Sequence, residues 1–164
     1  MKMIRIRHTE FSDVDAVLAV FDVARTFMRA CGNMEQWTNG YPSRQTVYDD
    51  IRRGAGYVVE CDGELAGTFA FVEGADPNYG VIDGRWPDER PYGTIHRLAS
   101  SGRMRGIADL CLEFCMTRGV NIRIDTHADN APMLAWIARS GFEYCGVVWM
   151  ADGTPRRAFQ KSVR

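Results

Sequence analysis

Arg103-Met104-Arg105-Gly106-Ile107-Ala108 is the stretch that decides how this sequence is interpreted. It lies between a predicted strand over residues 94–99 and a predicted helix over residues 107–118. Backbone N–H groups at the start of such a helix point at an anion, and the helix dipole and two arginines add positive charge. The stretch therefore predicts a binding site for a pyrophosphate group.

The first part of the chain predicts a strand and a long helix. Ile4 and Ile6 alternate with arginines, as in a half-buried strand. Ser12 with Asp15 resembles a capping box, and apolar residues at helical spacing carry the following helix to about Cys31.

A short helix and a hairpin follow. Ser43 caps the helix and Gly54 ends it. The dipeptide Asp62-Gly63 separates two apolar runs, over residues 57–61 and 65–72, and Asp-Gly is among the strongest short-range hairpin signals.

The segment 74–91 is rich in glycine, proline and acidic residues, and it predicts a long excursion with a short strand near Val81-Ile82. The remaining predicted elements are a strand over 121–126, a helix over 131–140, and a closing hairpin of strands over 142–150 and 156–161. Since no internal repeat or second domain is visible, we expect residues 1–164 to form one α/β domain.

Composition excludes several classes of protein. The net charge is -1, with 46% hydrophobic and 25% charged residues, as in ordinary globular domains. Nucleic-acid binding would need a basic excess. No apolar run is long enough for a membrane span, and the charged first residues do not resemble a signal peptide. We expect a cytoplasmic protein without nucleic-acid or membrane partners.

The five cysteines suggest neither disulfides nor a metal site. Their number is odd and no CxxC pair occurs. Cys111 and Cys115 are four residues apart and could share a metal ion, but both fall on the apolar face of the predicted helix. Buried packing is the favoured interpretation.

The order of elements and two motifs resemble the GNAT superfamily of acetyltransferases. Its phosphate-binding signature is Q/R-x-x-G-x-G/A, which residues 103–108 fit. Asn130-Ala131-Pro132-Met133 and Ser140-Gly141-Phe142 resemble the asparagine, helix and Gly-Phe ending of the family. The resemblance covers about residues 94–150. It implies a mixed, largely antiparallel sheet of about seven strands with a splayed parallel pair and four flanking helices.

The resemblance implies acetyl-coenzyme A as the acetyl donor and no metal. It implies contacts with the pantetheine arm from Leu98, Ala99, Ser100, Asn130 and Met133. It implies pyrophosphate contacts from Arg103, Met104, Arg105, Gly106, Ile107 and Ala108. The loop from Ser100 to Arg103 is about two residues shorter than the family norm, which suggests rearranged contacts.

Ile137 lies at the position where many family members carry a general-acid tyrosine. An alkyl amine, with a pKa near 10.4, must lose a proton before it attacks a thioester, so a base is required. His96 is the first candidate, as open to a structural role as to a catalytic one. His127 is the second, and a structural role is favoured for it. Tyr144 or Cys145 could replace the missing acid, although packing explains both.

Four aromatic residues lie in the two loops that this fold directs to the substrate side: Trp37, Tyr41, Trp86 and Tyr92. They predict an aromatic-walled pocket, or they anchor the loops. The second loop also carries acidic residues that either attract a cationic amine or form a solvated surface: Asp76, Asp83, Asp88 and Glu89.

The leading hypothesis is an N-acetyltransferase that acts on a primary amine of a small molecule or peptide. The alternative is a catalytically weak acyl-coenzyme A-binding or sensing domain, which Ile137 and the short loop favour. The sequence leaves open the acceptor and the oligomeric state, a homodimer included.

Overall fold

The computed structural model of the chain describes all residues from 1 to 164. Its helices and strands are β1 Ile4–His8, α1 Val14–Ala30, α2 Arg44–Arg52, β2 Gly56–Cys61, β3 Glu64–Glu73, β4 Asp83–Gly84, β5 Tyr92–Ser100, α3 Ile107–Met116, β6 Asn121–Thr126, α4 Ala131–Arg139, β7 Glu143–Trp149 and β8 Pro155–Lys161. Short 3₁₀ helices at Phe11–Asp13 and Pro77–Tyr79 precede α1 and β4. No helix combines the length and apolar character needed to cross a membrane.

All eight strands form one sheet in the order β1-β2-β3-β5-β6-β8-β7-β4. Every neighbouring pair is antiparallel except β5 and β6, which are parallel. The predicted mixed, largely antiparallel sheet with one parallel pair and four helices is confirmed. The eighth strand is the two-residue β4 at the sheet edge.

The parallel pair is hydrogen-bonded only at its beginning. The ladder joins residues 92–94 of β5 to residues 121–123 of β6, although the strands continue to Ser100 and Thr126. Beyond the ladder the two strands have no hydrogen bonds to each other. The sheet therefore opens at its centre.

A bulge in β5 lies beside this opening. Between its pairs with Ala70 and Thr68, β5 contains one residue more than β3. Arg97, within the bulge, has a φ of 53°, in the left-handed region that disfavours non-glycine residues. Its guanidinium donates to both carboxylate oxygens of Asp50 on α2, at 2.9 and 2.5 Å. This buried ion pair fixes the bulge.

Apolar residues cover both faces of the sheet. Helices α3 and α4 bury one face through Ile107, Cys111, Cys115, Trp136 and Ile137. Helices α1 and α2 bury the other through Val17, Phe21 and Val47. Cys111 and Cys115 are fully buried free thiols, so the predicted packing is confirmed.

The start of α1 differs from the prediction. A 3₁₀ turn precedes Val14, and the capping carboxylate is that of Asp13, which accepts from the Glu10 backbone N–H at 2.8 Å. Arg7 on β1 also contacts Asp13, at 2.7 Å. The proposed cap from Ser12 and Asp15 is therefore wrong: Asp13, held by Arg7, caps the 3₁₀ turn, and α1 itself has no side-chain cap.

The short strand in the excursion was predicted two residues too early. Strand β4 pairs Asp83 with Val147 and Gly84 with Gly146. Both glycines have positive φ, and a Cβ on either would collide with the opposing backbone. The close approach of two glycines determines where the edge strand forms.

Gly93 on β5 provides a test of core packing. A Cβ there would overlap the buried ring of Phe71, so Gly93→Ala should lower the free energy of unfolding by about 1–3 kcal/mol. Gly80→Ala is the matched control, since its φ is -72° and its Cβ would meet no atom within 4 Å. Urea unfolding measures both, and equal stabilities of the two variants would contradict the packing described.

Candidate active site

Two depressions meet at the opening between β5 and β6. The first, here called the polar cleft, has a volume of about 470 Å³ and lies among the loop 33–42, β5, β6 and the turn after β7. The second, the apolar groove, has about 400 Å³ and lies between α1, α4 and the loop after β5. Four residues line both: Met28, Leu98, Asn130 and Met133. A ligand in the groove can thus meet one in the cleft.

The apolar groove reaches the N-terminus of α3. It is lined by eight of the residues predicted for the cofactor: Leu98, Ala99, Ser100, Gly106, Ile107, Ala108, Asn130 and Met133. Gly106 precedes α3 with a φ of 84°, and no side chain caps this helix. The first-turn N–H groups have no intrahelical acceptor, and a Cβ at Gly106 would meet no protein atom within 4 Å. This helix start suits an anion.

The other three predicted phosphate residues lie outside the groove lining. Arg103 is exposed and pairs with Glu64 on β3. Met104 packs against the core, and Arg105 is exposed and makes no hydrogen bond within the protein. The geometry therefore favours backbone N–H groups over the arginine side chains as the fixed part of the anion site.

The Asn130 side chain is engaged within the protein. Its Oδ1 accepts from the Met133 N–H at 3.3 Å and caps α4, while Nδ2 donates to Gln36 Oε1 at 3.1 Å. Gln36 Oε1 also accepts from Asn33 Nδ2 at 2.9 Å. This amide network joins the loop 33–42 to α4. A bond from Asn130 to the pantetheine arm stays a prediction, and the second lone pair of Oδ1 and the second N–H of Nδ2 are available for it.

His96 lies in the polar cleft and is paired with a carboxylate. Its Nε2 is 2.9 Å from Asp76 Oδ2, and Asp76 also accepts from the Asn78 N–H. The Asp76 backbone N–H donates to the Tyr92 hydroxyl at 2.8 Å. Burial opposes ionisation of Asp76, but the hydrogen bonds from His96 and Asn78 outweigh it and lower its pKa. His96 and Asp76 thus form a positioned pair able to accept a proton.

A second carboxyl, that of Asp125, lines the same cleft. Its Oδ2 accepts from the Tyr79 hydroxyl at 2.5 Å. Burial raises its pKa, while the charge of His96 and the Tyr79 hydrogen bond act in the opposite direction. Burial also raises the pKa of Tyr79 well above its ordinary value. The pair adds a polar wall facing His96.

The aromatic candidates fall into two groups. Trp37 and Tyr41 line the polar cleft, and Arg29 holds the loop by donating to backbone carbonyls that include that of Trp37. Trp86 and Tyr92 do not line the cleft. Their rings flank the Arg123 guanidinium at 3.9 and 3.8 Å from its carbon, and they anchor the excursion to the sheet.

Three further candidates lie outside both depressions. His127 Nδ1 accepts from the Asp129 N–H at 3.0 Å, just beyond β6. The Tyr144 side chain is 58% exposed and its ring packs on Phe159. Cys145 is buried on β7, where desolvation and the charge of Glu143 raise its pKa to about 11. None of these groups faces the opening of the sheet.

Sequence reasoning missed Asp76 as the partner of His96 and Arg97 as the anchor of the bulge. Asp76-Pro77 carries a local signal, because an aspartate before proline is typical of a helix cap. That signal predicts the turn but not its contact with a strand twenty residues later.

Comparison with solved structures finds acetyltransferases. An acetyltransferase of the GNAT family from Streptococcus agalactiae is 34% identical, with a TM-score of 0.87 and coverage of 98% of this chain and 96% of that one. A GNAT-family acetyltransferase from Listeria monocytogenes is 19% identical, with a TM-score of 0.73 and coverage of 98% and 95%.

A third solved structure is the acetyltransferase from Salmonella typhimurium that modifies the N-terminal serine of ribosomal protein L7/L12. It is 20% identical, with a TM-score of 0.65 and coverage of 98% and 95%. At that identity, as for the Listeria protein, the similarity shows the fold alone. No protein-family model and no curated protein matches the sequence.

Asp125 gives a test of burial in the cleft. Because its pKa is raised in the folded protein, the carboxylate destabilises the fold at neutral pH, and this cost disappears as the pH falls through the raised folded pKa toward the unfolded value. Asp125→Asn should therefore gain more stability relative to wild type at pH 7 than at pH 4.

The free energy of unfolding in urea at the two pH values measures this difference. Asp83→Asn, at an exposed position on β4, controls for the change in net charge. A gain at Asp125 that is independent of pH would contradict the assigned burial.

Proposed function

This chain belongs to the GNAT family of acetyltransferases, and from that premise we propose that it moves acetyl from acetyl-coenzyme A to a primary amine of a small molecule or peptide. The observation that carries the proposal is the meeting of the apolar groove with the polar cleft, where His96 and Asp76 are paired. The groove suits the donor and the cleft suits the acceptor.

The donor side is supported by the start of α3. Its free first-turn N–H groups and positive dipole end suit the pyrophosphate. The groove residues suit the pantetheine arm, because they combine apolar side chains of α1 and α4 with the end of β5. In this arrangement the thioester lies near Leu98 and Met133, which line both depressions.

On the acceptor side, His96 serves as the general base, directly or through one water. The protonated amine gives its proton to His96, and Asp76 stabilises the resulting imidazolium. The amine nitrogen then attacks the carbonyl carbon, the carbon–sulfur bond breaks, and the electron pair leaves with the sulfur. The nitrogen loses its second proton to solvent as the amide forms, and solvent protonates the thiolate. The products are the acetylated amine and coenzyme A.

No proton donor occupies the position of the usual acid. Ile137, on α4, is fully buried in the core, and Tyr144 lies outside both depressions. A thiol with a reference pKa near 8.5 is a tolerable leaving group, so solvent can protonate the thiolate at a loss of about 10²–10⁴-fold in rate. A catalytically weak acyl-coenzyme A sensor is the second candidate, and thiol release with a panel of amines distinguishes the two.

Gly106 tests the donor site. Gly106→Val should abolish acetyl-coenzyme A binding in calorimetry, because its side chain would project into the space assigned to the pyrophosphate. Gly119→Val is the matched control, since Gly119 also has a left-handed φ, of 72°, with no atom near its Cβ, but lies outside the groove. If a folded Gly106→Val variant binds as tightly as Gly119→Val, the assignment is wrong.

His96 tests the acceptor side. His96→Ala should lower kcat by about 10²-fold or more while leaving acetyl-coenzyme A affinity nearly unchanged, because proton transfer is lost and donor contacts are not. The ascending limb of the pH profile should be compared with wild type for acceptors of different pKa.

Two further variants make the His96 result specific. His8→Ala, on the outer strand β1, should retain wild-type turnover. His127→Ala tests the second candidate: a large loss there, with His96→Ala fully active, would transfer the role of base to His127.

A further inference from the structure

Arg156 lies in the polar cleft without an ionic partner. Its Nη1 donates to Thr154 Oγ1 at 3.2 Å and to the Pro155 carbonyl at 2.8 Å, both within its own hairpin. Its Nε and Nη2 make no hydrogen bond within the protein, and no carboxylate oxygen lies within 4.0 Å. The N–H groups of Nε and Nη2 therefore stay free at the site.

The other arginine of the cleft is satisfied. Arg97 gives two hydrogen bonds to Asp50 and one to the Tyr41 hydroxyl. The two nearby carboxylates are also engaged elsewhere: Asp125 by the Tyr79 hydroxyl, and Asp152 by the backbone and side chain of Thr154. The charge of Arg156 acts to lower the pKa of both carboxyl groups, but neither forms a salt bridge with it. Arg156 is thus the arginine of the cleft whose guanidinium the protein leaves without an ion pair.

The surroundings of Arg156 suit a small polar ligand. A cleft of about 470 Å³ is in the size range of small-molecule sites. Asn78, whose side-chain amide makes no hydrogen bond within the protein, lines it together with His96. A guanidinium with free N–H groups matches a carboxylate in geometry and charge, and it repels a ligand that is cationic throughout.

We infer that the acceptor is an amine that also carries a carboxylate, with Arg156 binding the carboxylate while His96 takes the proton from the amine. The inference rests on the proposed acetyl transfer and deepens it. It makes Arg156 a specificity-determining residue, and it excludes simple alkylamines and polyamines as the preferred acceptors.

The test uses linear ω-amino acids, each paired with the alkylamine of the same chain length. Wild type should prefer the amino acid in kcat/KM. Arg156→Gln should lower kcat/KM for the amino acid by about 10- to 100-fold, mainly through KM, with a much smaller loss for the alkylamine. Arg156→Lys, which keeps the charge without the planar fork, should recover part of the loss.

Arg157→Gln is the matched control. Arg157 is the exposed next residue of β8, where alternation directs its side chain to the other face of the sheet, and it should keep wild-type kinetics for both classes of amine. Equal losses for both classes in Arg156→Gln, or a wild-type preference for the alkylamine, would overturn the inference.

A binding measurement separates this inference from the proposed function. If no amine releases thiol from acetyl-coenzyme A, the proposed function fails. Calorimetric titration of the same amino acids into the complex with coenzyme A then tests Arg156 alone. Binding by wild type that is lost in Arg156→Gln supports the inference, and binding that is absent or equal in both proteins overturns it.

Discussion

The buried ion pair between Arg97 and Asp50 is the interaction on which the site depends. Arg97 occupies a left-handed conformation that costs of order 1–3 kcal/mol for a non-glycine residue. Two charge-assisted hydrogen bonds to a buried carboxylate offset that cost. The bulge lies where β5 leaves β6, so the same pair joins α2, the opening of the sheet and, through the Tyr41 hydroxyl, the loop 33–42.

The opening explains why two ligand spaces converge on one point. Parallel strands that remained paired to their ends would close the centre of the sheet with ladder hydrogen bonds. Here β5 and β6 separate after residues 94 and 123, and Leu98 on one side faces Asn130 and Met133 on the other. A donor and an acceptor can therefore meet without either crossing a hydrogen-bonded strand.

Local signals predicted most of the fold, and long-range contacts account for the errors. Asp62-Gly63 has two positive φ angles, as a tight hairpin requires, and Ser43 caps α2 as expected. The start of α1 was misplaced because Arg7 on β1 binds Asp13, which caps a 3₁₀ turn before the helix. The same limit applies to the site. The sequence singled out His96, but nothing in it indicated that the excursion brings Asp76 to His96 and Tyr79 to Asp125.

The excursion is held by aromatic and ionic contacts that leave few groups free. Trp86 and Tyr92 enclose Arg123, and the Tyr92 hydroxyl fixes the backbone of Asp76. Residues that seemed suited to touch substrate thus support the residue that orients His96. Arg156 forms no ion pair in the cleft, and a guanidinium with free N–H groups is informative about the ligand. Under the proposed function, chemistry and specificity are separate tasks: the pair of His96 and Asp76 fixes the position of the base, and Arg156 selects the acceptor.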